Sequence, residues 1–452
     1  MCRHNAATKA YCEPSFKALA SLLLFFSIAF GACFYYLFAR HTDFIRVEGQ
    51  KLIISDLAYY LELTRAFWQG YITNVYEYDS HLKVLSRLLG SAAHYAMPLG
   101  VSPVALLLWA PLAALNSSNL GLAYAIWVTF SFACLLAGIL AIAAGASSLP
   151  RSGKLFVCAA LVLIFSSETF VSTAALGQTS IMAGGCLLIL VLLIKKCMPN
   201  KIGTVPATLS VCFLTLLLSI KPTYLAFAFV LLLLHGLWYQ ALCSVMAPLL
   251  ISAALTIRLG PHWPIDYIRT LLVFCSAEVP EGYRSALIPE SMNLFSTAFH
   301  QVLGEDLSLL VTKVCFTVGT GLILATQSFK PLLADTPLRA LSKLAPFQAF
   351  IIILSVYLLF APYAGAYEDL LTIVIIGVPI LFFEDRPVAA SGMASFALGA
   401  LALVLNHNVW PKATKPALLF WILKAAFLTY LCSRSFSGAT SAKKSLYPPS
   451  FQ

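Results

Sequence analysis

Charge is what this chain has least of. Only 11% of its 452 residues are Asp, Glu, Lys or Arg, whereas 60% are hydrophobic and the mean hydropathy is +0.86. A soluble domain carries roughly 25% charged residues, so a large soluble protein is excluded. Patterned cysteine is lacking too. Of twelve cysteines none forms a CxxC pair, Cys134, Cys158, Cys186, Cys212 and Cys315 sit inside apolar runs, and only Cys275 lies in a long polar loop. Neither a disulfide framework nor a zinc site is indicated, and cysteine reads as a small hydrophobe. His41, His81, His94, His262 and His300 have no ligand-like spacing and read as ordinary surface or interfacial histidines, so no metal site is assigned. There is no internal repeat, and Lys313 and Lys424 are the only charges well inside apolar runs.

What the chain does have is a succession of apolar runs close to the ~20 residues that cross a bilayer. Probable spans fall near residues 18–38, 119–146, 155–175, 178–195, 204–220, 222–239, 240–257, 307–327, 346–361, 368–383, 387–406 and 417–433. The first run is longer than a signal-peptide core and ends in Tyr, Phe and Arg instead of a small-residue cleavage site, so it reads as a retained span. The segment "VSPVALLLWAPLAAL" (101–115), with Pro103 and Pro111, reads as a re-entrant or interfacial helix, a thirteenth crossing being the alternative. Lys and Arg gather in "KKCMPNK", "KPLLADTPLRALSK" and "SAKK", which places these loops and both termini in the cytoplasm. The expected organisation is a cytoplasmic tail (1–17), a multi-pass domain (18–434) and a second cytoplasmic tail (435–452), with extracytoplasmic loops at about 39–100 and 258–306. The net charge of +10 then reports topology and attraction to membrane lipids, not nucleic acid.

The polar residues of interest collect on the outer face. In "ISDLAYYLELTRAFWQGYITNVYEY" (54–78), Leu57, Tyr60, Leu61, Thr64, Phe67, Trp68 and Tyr71 follow helical spacing, with Glu62, Arg65 and Gln69 opposite. That pattern suits an amphipathic helix in the headgroup region, opened by Ser55 and Asp56 and stopped by Gly70. Asp56 is either an N-terminal capping residue or a carboxylate held at the membrane surface for chemistry. "ALGQTS" puts Gly177 and Gln178 at the outer end of one span, and "SIKPTY" puts Lys221 and Pro222 at the outer end of another. "APYAGAYEDL" adds Tyr363, Tyr367, Glu368 and Asp369, and "YRSALIPESMN" adds Arg284 and Asn293.

These motifs, with "YAMPLGVSPVALLLWAPLAAL" between the first and second, occur in an order and spacing that resembles glycosyltransferase family 87 from about residue 15 to 385. The resemblance implies an all-α polytopic membrane protein of the GT-C type, with about 12–13 transmembrane helices and a long extracytoplasmic first loop. It implies an enzyme of the plasma membrane that moves a hexose, mannose foremost, from a polyprenyl-phosphate sugar to a lipid or glycan acceptor. The family's first-loop acid falls on Asp56 as catalytic base, its "GQ" on Gly177 and Gln178, and its "KP" on Lys221 and Pro222. A histidine beside the late acidic motif is also implied, yet Ala364, Ala366 and Tyr367 stand there. "MNLFSTAFHQVLG" matches loosely and offers Asn293 and His300.

The chemistry suits the residues. Each buried lipid CH₂ stabilises by about 0.8 kcal/mol, so a polyprenyl donor stays in the bilayer and the protein must bring its catalytic group to the membrane surface. Inverting transfer needs one base for the acceptor hydroxyl, and positive charge for the departing phosphate. Asp56 is the expected base; Tyr60, Arg65, Tyr76, Gln178, Lys221, Arg284, Asn293, Tyr363, Glu368 and Asp369 are the expected substrate contacts. Lys221, Arg284 or a divalent cation (Mg or Mn) are the candidates to stabilise the phosphate. A lipid or glycolipid transporter, or flippase, would place ionisable groups at mid-membrane and show repeated halves. A catalytically inactive relative would tolerate replacement of Asp56.

Overall fold

The computed structural model describes residues 45–48, 51–54, 56–89, 99–116, 120–145, 168–197, 205–274, 305–328, 346–360, 366–371 and 373–374, with isolated positions at 29, 32 and 165. The chain is helical nearly throughout these residues. The exception is an antiparallel ribbon of β1 (Ile45–Glu48) and β2 (Lys51–Ile54), in which Ile45 faces Ile54 and Glu48 faces Lys51.

The helices sort into two sets by composition. Long or strongly apolar ones form the body: α5 (Leu120–Gly145), α7 (Ser180–Cys197), α8 (Val205–Leu218), α9 (Pro222–Leu234), α10 (Trp238–Leu259), α12 (Glu305–Ser328) and α13 (Pro346–Phe360). Among the described residues α5 and α10 are long and apolar enough to cross a bilayer alone. The expected spans at 204–220, 222–239 and 346–361 appear as helices of 14, 13 and 15 residues. At 1.5 Å per residue these are shorter than a ~30 Å hydrocarbon core. The expected spans at 18–38, 387–406 and 417–433 lie outside the described residues, apart from positions 29 and 32.

Glycine sets the tightest helix contact in the body. A Cβ on Gly185 of α7 would lie 2.2 Å from the Cys134 carbonyl oxygen of α5, and one on Gly138 would lie 3.1 Å from Gly185. Backbones can approach this closely only where side chains are absent, the usual device for joining apolar helices without a hydrophobic driving force. Cys134, Cys186, Cys212, Cys243 and Cys315 are free thiols within these helices, as their apolar settings predict.

Shorter helices form a cap over one end of the body: α1 (Asp56–Trp68), α2 (Tyr78–Leu89), α3 (Val104–Leu108), α4 (Ala110–Asn116) and α11 (Trp263–Phe274). A brief α6 (Glu168–Ala175) precedes α7, and a 3-10 turn (Ala366–Leu371) packs on α6 and α7. Segment 101–115 is thus two short helices hinged at Trp109, too short for a crossing. Where a span was expected from 368, the described start is the 3-10 turn.

The cap is tied down by side chains reaching backbone ends. α1 stops where Gly70, at φ 76°, lets the Gly70 and Tyr71 N–H groups return to the Phe67 and Ala66 carbonyls. Arg258, at the end of α10, donates to the Phe67 and Trp68 carbonyls at 2.9 and 2.6 Å, placing a cation on the C-terminus of α1. Trp68 donates to the Leu106 carbonyl at 2.8 Å, and Asn74 donates to Asp266 of α11 at 2.8 Å. The expected division of α1 into an apolar and a polar face is not kept. Glu62 is 2% exposed and ion-paired with Arg65, and Ala58, Tyr59, Leu63 and Ala66 are buried as well. The physical reason is that α1 is enclosed by its neighbours in the cap and body, chiefly α4, α2 and α5.

Candidate functional site

Gly177 and Gln178 owe their position to the way α6 ends. Gly177 adopts φ 66°, its N–H returns to the Ala174 carbonyl at 3.0 Å, and the Gln178 N–H returns to Thr173 at 3.0 Å. This left-handed helix stop requires glycine. Space requires it too: a Cβ here would lie 2.4 Å from Leu57 Cβ. The Gly177 carbonyl accepts the Trp127 indole N–H at 2.9 Å, and the Leu176 carbonyl accepts the Leu57 N–H at 3.2 Å. So α1, α5 and the α6–α7 junction are locked together at one point.

That lock brings Asp56 and Gln178 into direct contact. The Gln178 amide donates to Asp56 Oδ2 across 122 positions of sequence. Asp56 is the first residue of α1, where a carboxylate meets the positive end of the helix. The same turn is held from the body, with the Ala58 N–H donating to the Tyr124 hydroxyl at 3.2 Å. Tyr60, one turn on from Asp56, stacks on Trp109 at 5.3 Å with planes 10° apart, and Trp109 meets Trp127 edge-on at 5.8 Å. These aromatic rings join α1, one turn on from Asp56, to the hinge at Trp109 and to α5.

The second polar centre is built on "SIKPTY". Pro222 disfavours helical dihedrals for the residue before it, and Lys221 is extended at φ −109°, ψ 126°. Pro222 then opens α9 at its first position, where a missing N–H costs nothing. Lys221 Nζ lies 3.0 Å from Glu368 Oε1, and the Tyr224 hydroxyl donates to Glu368 Oε2 at 2.7 Å. Glu368 is 2% exposed, so both its oxygens are paired with cation or donor, as a buried carboxylate needs. The 219–221 turn is stitched to the cap: the Ser102 N–H donates to the Ile220 carbonyl at 2.8 Å, and the Ser102 hydroxyl donates to the Ser219 carbonyl at 2.5 Å.

Of the residues singled out in sequence, Asp56, Tyr60, Gln178, Lys221 and Glu368 are thus gathered where the cap meets the body. Arg65 is taken up by the ion pair with Glu62. Tyr76 is fully buried; its hydroxyl donates to the Val101 carbonyl at 3.1 Å and its ring lies 4.8 Å from that of Tyr267. Burial holds its phenol well above the ordinary range. Asp369 has its backbone on the 3-10 turn. Arg284, Asn293, His300 and Tyr363 lie outside the described residues.

His81, expected at the surface, is completely buried, with Nδ1 bonded to the Tyr59 hydroxyl; burial lowers its pKa to about 4, opposed in part by the nearby Val75 carbonyl. His262 is exposed, as expected. Among the described residues no three His, Cys, Asp or Glu side chains converge as a metal would need. Tyr124 and Tyr224 were missed in sequence. Tyr224 carries a signal, three residues after Lys221 on a helix; Tyr124 sits in an apolar run and carries none.

Comparison with known proteins found no match among curated proteins or solved structures. A sequence model of glycosyltransferase family 87 matches residues 102–362, more than half of the chain. The match takes in Gln178 and Lys221 and stops short of Asp56 and Glu368, the two acids to which they bond. With its apolar helices and this match, the chain is a membrane protein that belongs to glycosyltransferase family 87.

Proposed function

We propose that the protein moves a hexose, mannose in the first instance, from a polyprenyl-phosphate sugar to a lipid or glycan acceptor at the extracytoplasmic face of the plasma membrane. The observation that carries this reading is the contact of Gln178 with Asp56, which joins the first-loop acid to a motif of the matched family region. The matched family makes the chain a glycosyltransferase; the donor, acceptor and roles that follow are our reading of the site.

In this reading Asp56 is the catalytic base. An acceptor hydroxyl attacks the anomeric carbon as its proton passes to Asp56; the carbon–oxygen bond to phosphate breaks, and polyprenyl phosphate leaves as an anion. The configuration inverts through an oxocarbenium-like transition state. Gln178 is a positioning residue: its amide fixes one carboxylate oxygen and so sets the direction of the other. Lys221 supplies counter-charge for the phosphate, and its pairing with Glu368 places it beforehand. Arg284 is the second proposed cation, and a Mg or Mn ion a further one. The GT-C arrangement of the body, with both termini cytoplasmic, belongs to the same proposal.

The test is sugar transfer in membranes containing the wild type or Asp56→Asn, given labelled polyprenyl-phosphate sugars and native lipid extract, with and without a divalent-metal chelator. Wild type should yield a labelled glycolipid, and a well-expressed Asp56→Asn should lose at least a hundredfold in rate, the lower range of general-base contributions. Equal labelling by both would remove Asp56 from the mechanism.

A further inference from the structure

Among the described residues several Ser and Thr hydroxyls in helices return to a carbonyl three or four residues back: Thr64 to Tyr60, Thr129 to Ala125, Thr215 to Val211, Ser244 to Ala241 and Ser355 to Ile351; buried Thr270 reaches the Tyr76 carbonyl instead. Thr179 and Ser180 do neither. Among the described residues their hydroxyls have no hydrogen-bond partner, although Thr179 is 3% and Ser180 0% exposed. Buried hydroxyls are nearly always paired, and leaving one unpaired is costly. Ser131 and Thr320 are also unpaired, but each lies alone in mid-helix.

The two orphans stand at a helix start. The Thr179 carbonyl accepts the Ala183 N–H at 2.9 Å, which makes Thr179 the residue that opens the 18-residue α7, with Ser180 its first full member. A threonine in that place ordinarily turns its hydroxyl onto an N–H of the first turn. Here it does not, so the first-turn N–H groups keep no side-chain cap from Thr179, and the helix has none further back in its own ladder for them. A helix start with two unpaired hydroxyls beside it offers donors that suit an anion with several oxygens.

The surroundings add to the field. Asp56 opens α1, Tyr124 lies in the first turns of α5, and Lys221 precedes α9, so the positive ends of α1, α5, α7 and α9 all face the junction of cap and body. Gln178, which holds Asp56, is the residue immediately before Thr179. An anion on the α7 turn and an acceptor hydroxyl on Asp56 would therefore lie beside the same sugar.

Building on the transferase reading, we infer that the first turn of α7 is the phosphate subsite, where the Thr179 and Ser180 hydroxyls and the adjoining N–H groups receive the phosphate oxygens of the lipid-linked sugar. The ligand chemistry is a phosphate ester or free phosphate, and the lipid headgroup is the source assigned here.

The experiment uses purified full-length protein in detergent, with polyprenyl phosphate, the corresponding polyprenol and inorganic phosphate as probes, read by tryptophan fluorescence and by thermal unfolding. The variant is Thr179→Val/Ser180→Ala, with Thr179→Ser as the conservative control. Wild type should bind polyprenyl phosphate and not polyprenol; the double variant should bind at least tenfold more weakly, and Thr179→Ser within threefold of wild type. The donor KM should rise by the same factor, with the acceptor KM unchanged. Because orphan hydroxyls are removed, the ligand-free double variant should unfold no lower than wild type; a lower midpoint would mark a structural role and overturn the subsite. Equal affinity in wild type and variant would also overturn it. Inorganic phosphate competing at concentrations similar to polyprenyl phosphate would overturn the headgroup assignment. Failure of the transferase reading looks different: no sugar is transferred from any donor, while polyprenyl-phosphate binding in the same preparation still decides the subsite.

Discussion

At the scale of single residues, Asp56, Gln178, Lys221 and Glu368 were legible because polar groups are conspicuous in a chain this apolar. Their pairing was not, since Gln178 and Glu368 meet partners 122 and 147 positions away and no local pattern records that. His81 shows the converse. In sequence it reads as an ordinary surface or interfacial histidine, yet the ring is buried against Tyr59. With its pKa lowered to about 4 by burial, it stays neutral in the folded chain while an unfolded histidine takes a proton near pH 6.5. The unfolded state then binds more protons between these values, so stability present above pH 6.5 is lost as the pH falls toward 4. Over the full window the loss is roughly 3 kcal/mol. Thermal unfolding of detergent-solubilised wild type and His81→Gln, at steps from pH 7.5 to 4.5, checks this. The difference between them should shrink or reverse toward acid pH, and parallel profiles would show that His81 does not titrate on unfolding.

At the scale of elements, the joint between α1 and the α6–α7 junction depends on an atom that is missing. Alanine at Gly177 costs about 1–2 kcal/mol for the left-handed backbone and about 1–3 kcal/mol for forcing a methyl against Leu57. The expected loss is about 3 kcal/mol, with a fall in transfer rate because Gln178 is displaced from Asp56. Unfolding midpoint and transfer rate of Gly177→Ala, measured together, check it; wild-type values of both would mean that the joint relaxes freely. Elements with local stop signals were legible: Gly70 ends α1, and Pro222 opens α9. Elements whose surroundings come from afar were not. Nothing in "DLAYYLELTRAFW" indicates that Glu62 will be enclosed, or that a guanidinium from residue 258 will cap its last carbonyls. The helix Trp263–Phe274 lies within what hydropathy marks only as a loop, because its contacts are made with Tyr76 and Asn74 of the first loop.

At the scale of the whole molecule, chain direction decides which residues share an end. α7 runs away from the Asp56 junction, α8 returns to the turn that Ser102 clasps, α9 leaves again, and α10 comes back to place Arg258 on the cap. Asp56, Gln178, Lys221 and Glu368 therefore share one end, and the C-terminus of α7 and the start of α8 lie at the other. If that end faces outward, exposed residues of α2 must face outward with it. Single cysteines at Ser86 on α2 and at Val205 at the start of α8, both exposed, placed in a cysteine-free background, report the two ends. A membrane-impermeant maleimide should label Ser86→Cys in intact cells and Val205→Cys only after permeabilisation. The reverse pattern would put the junction on the cytoplasmic side, where the donor's phosphate and the proposed base would have to meet a different pool of acceptors.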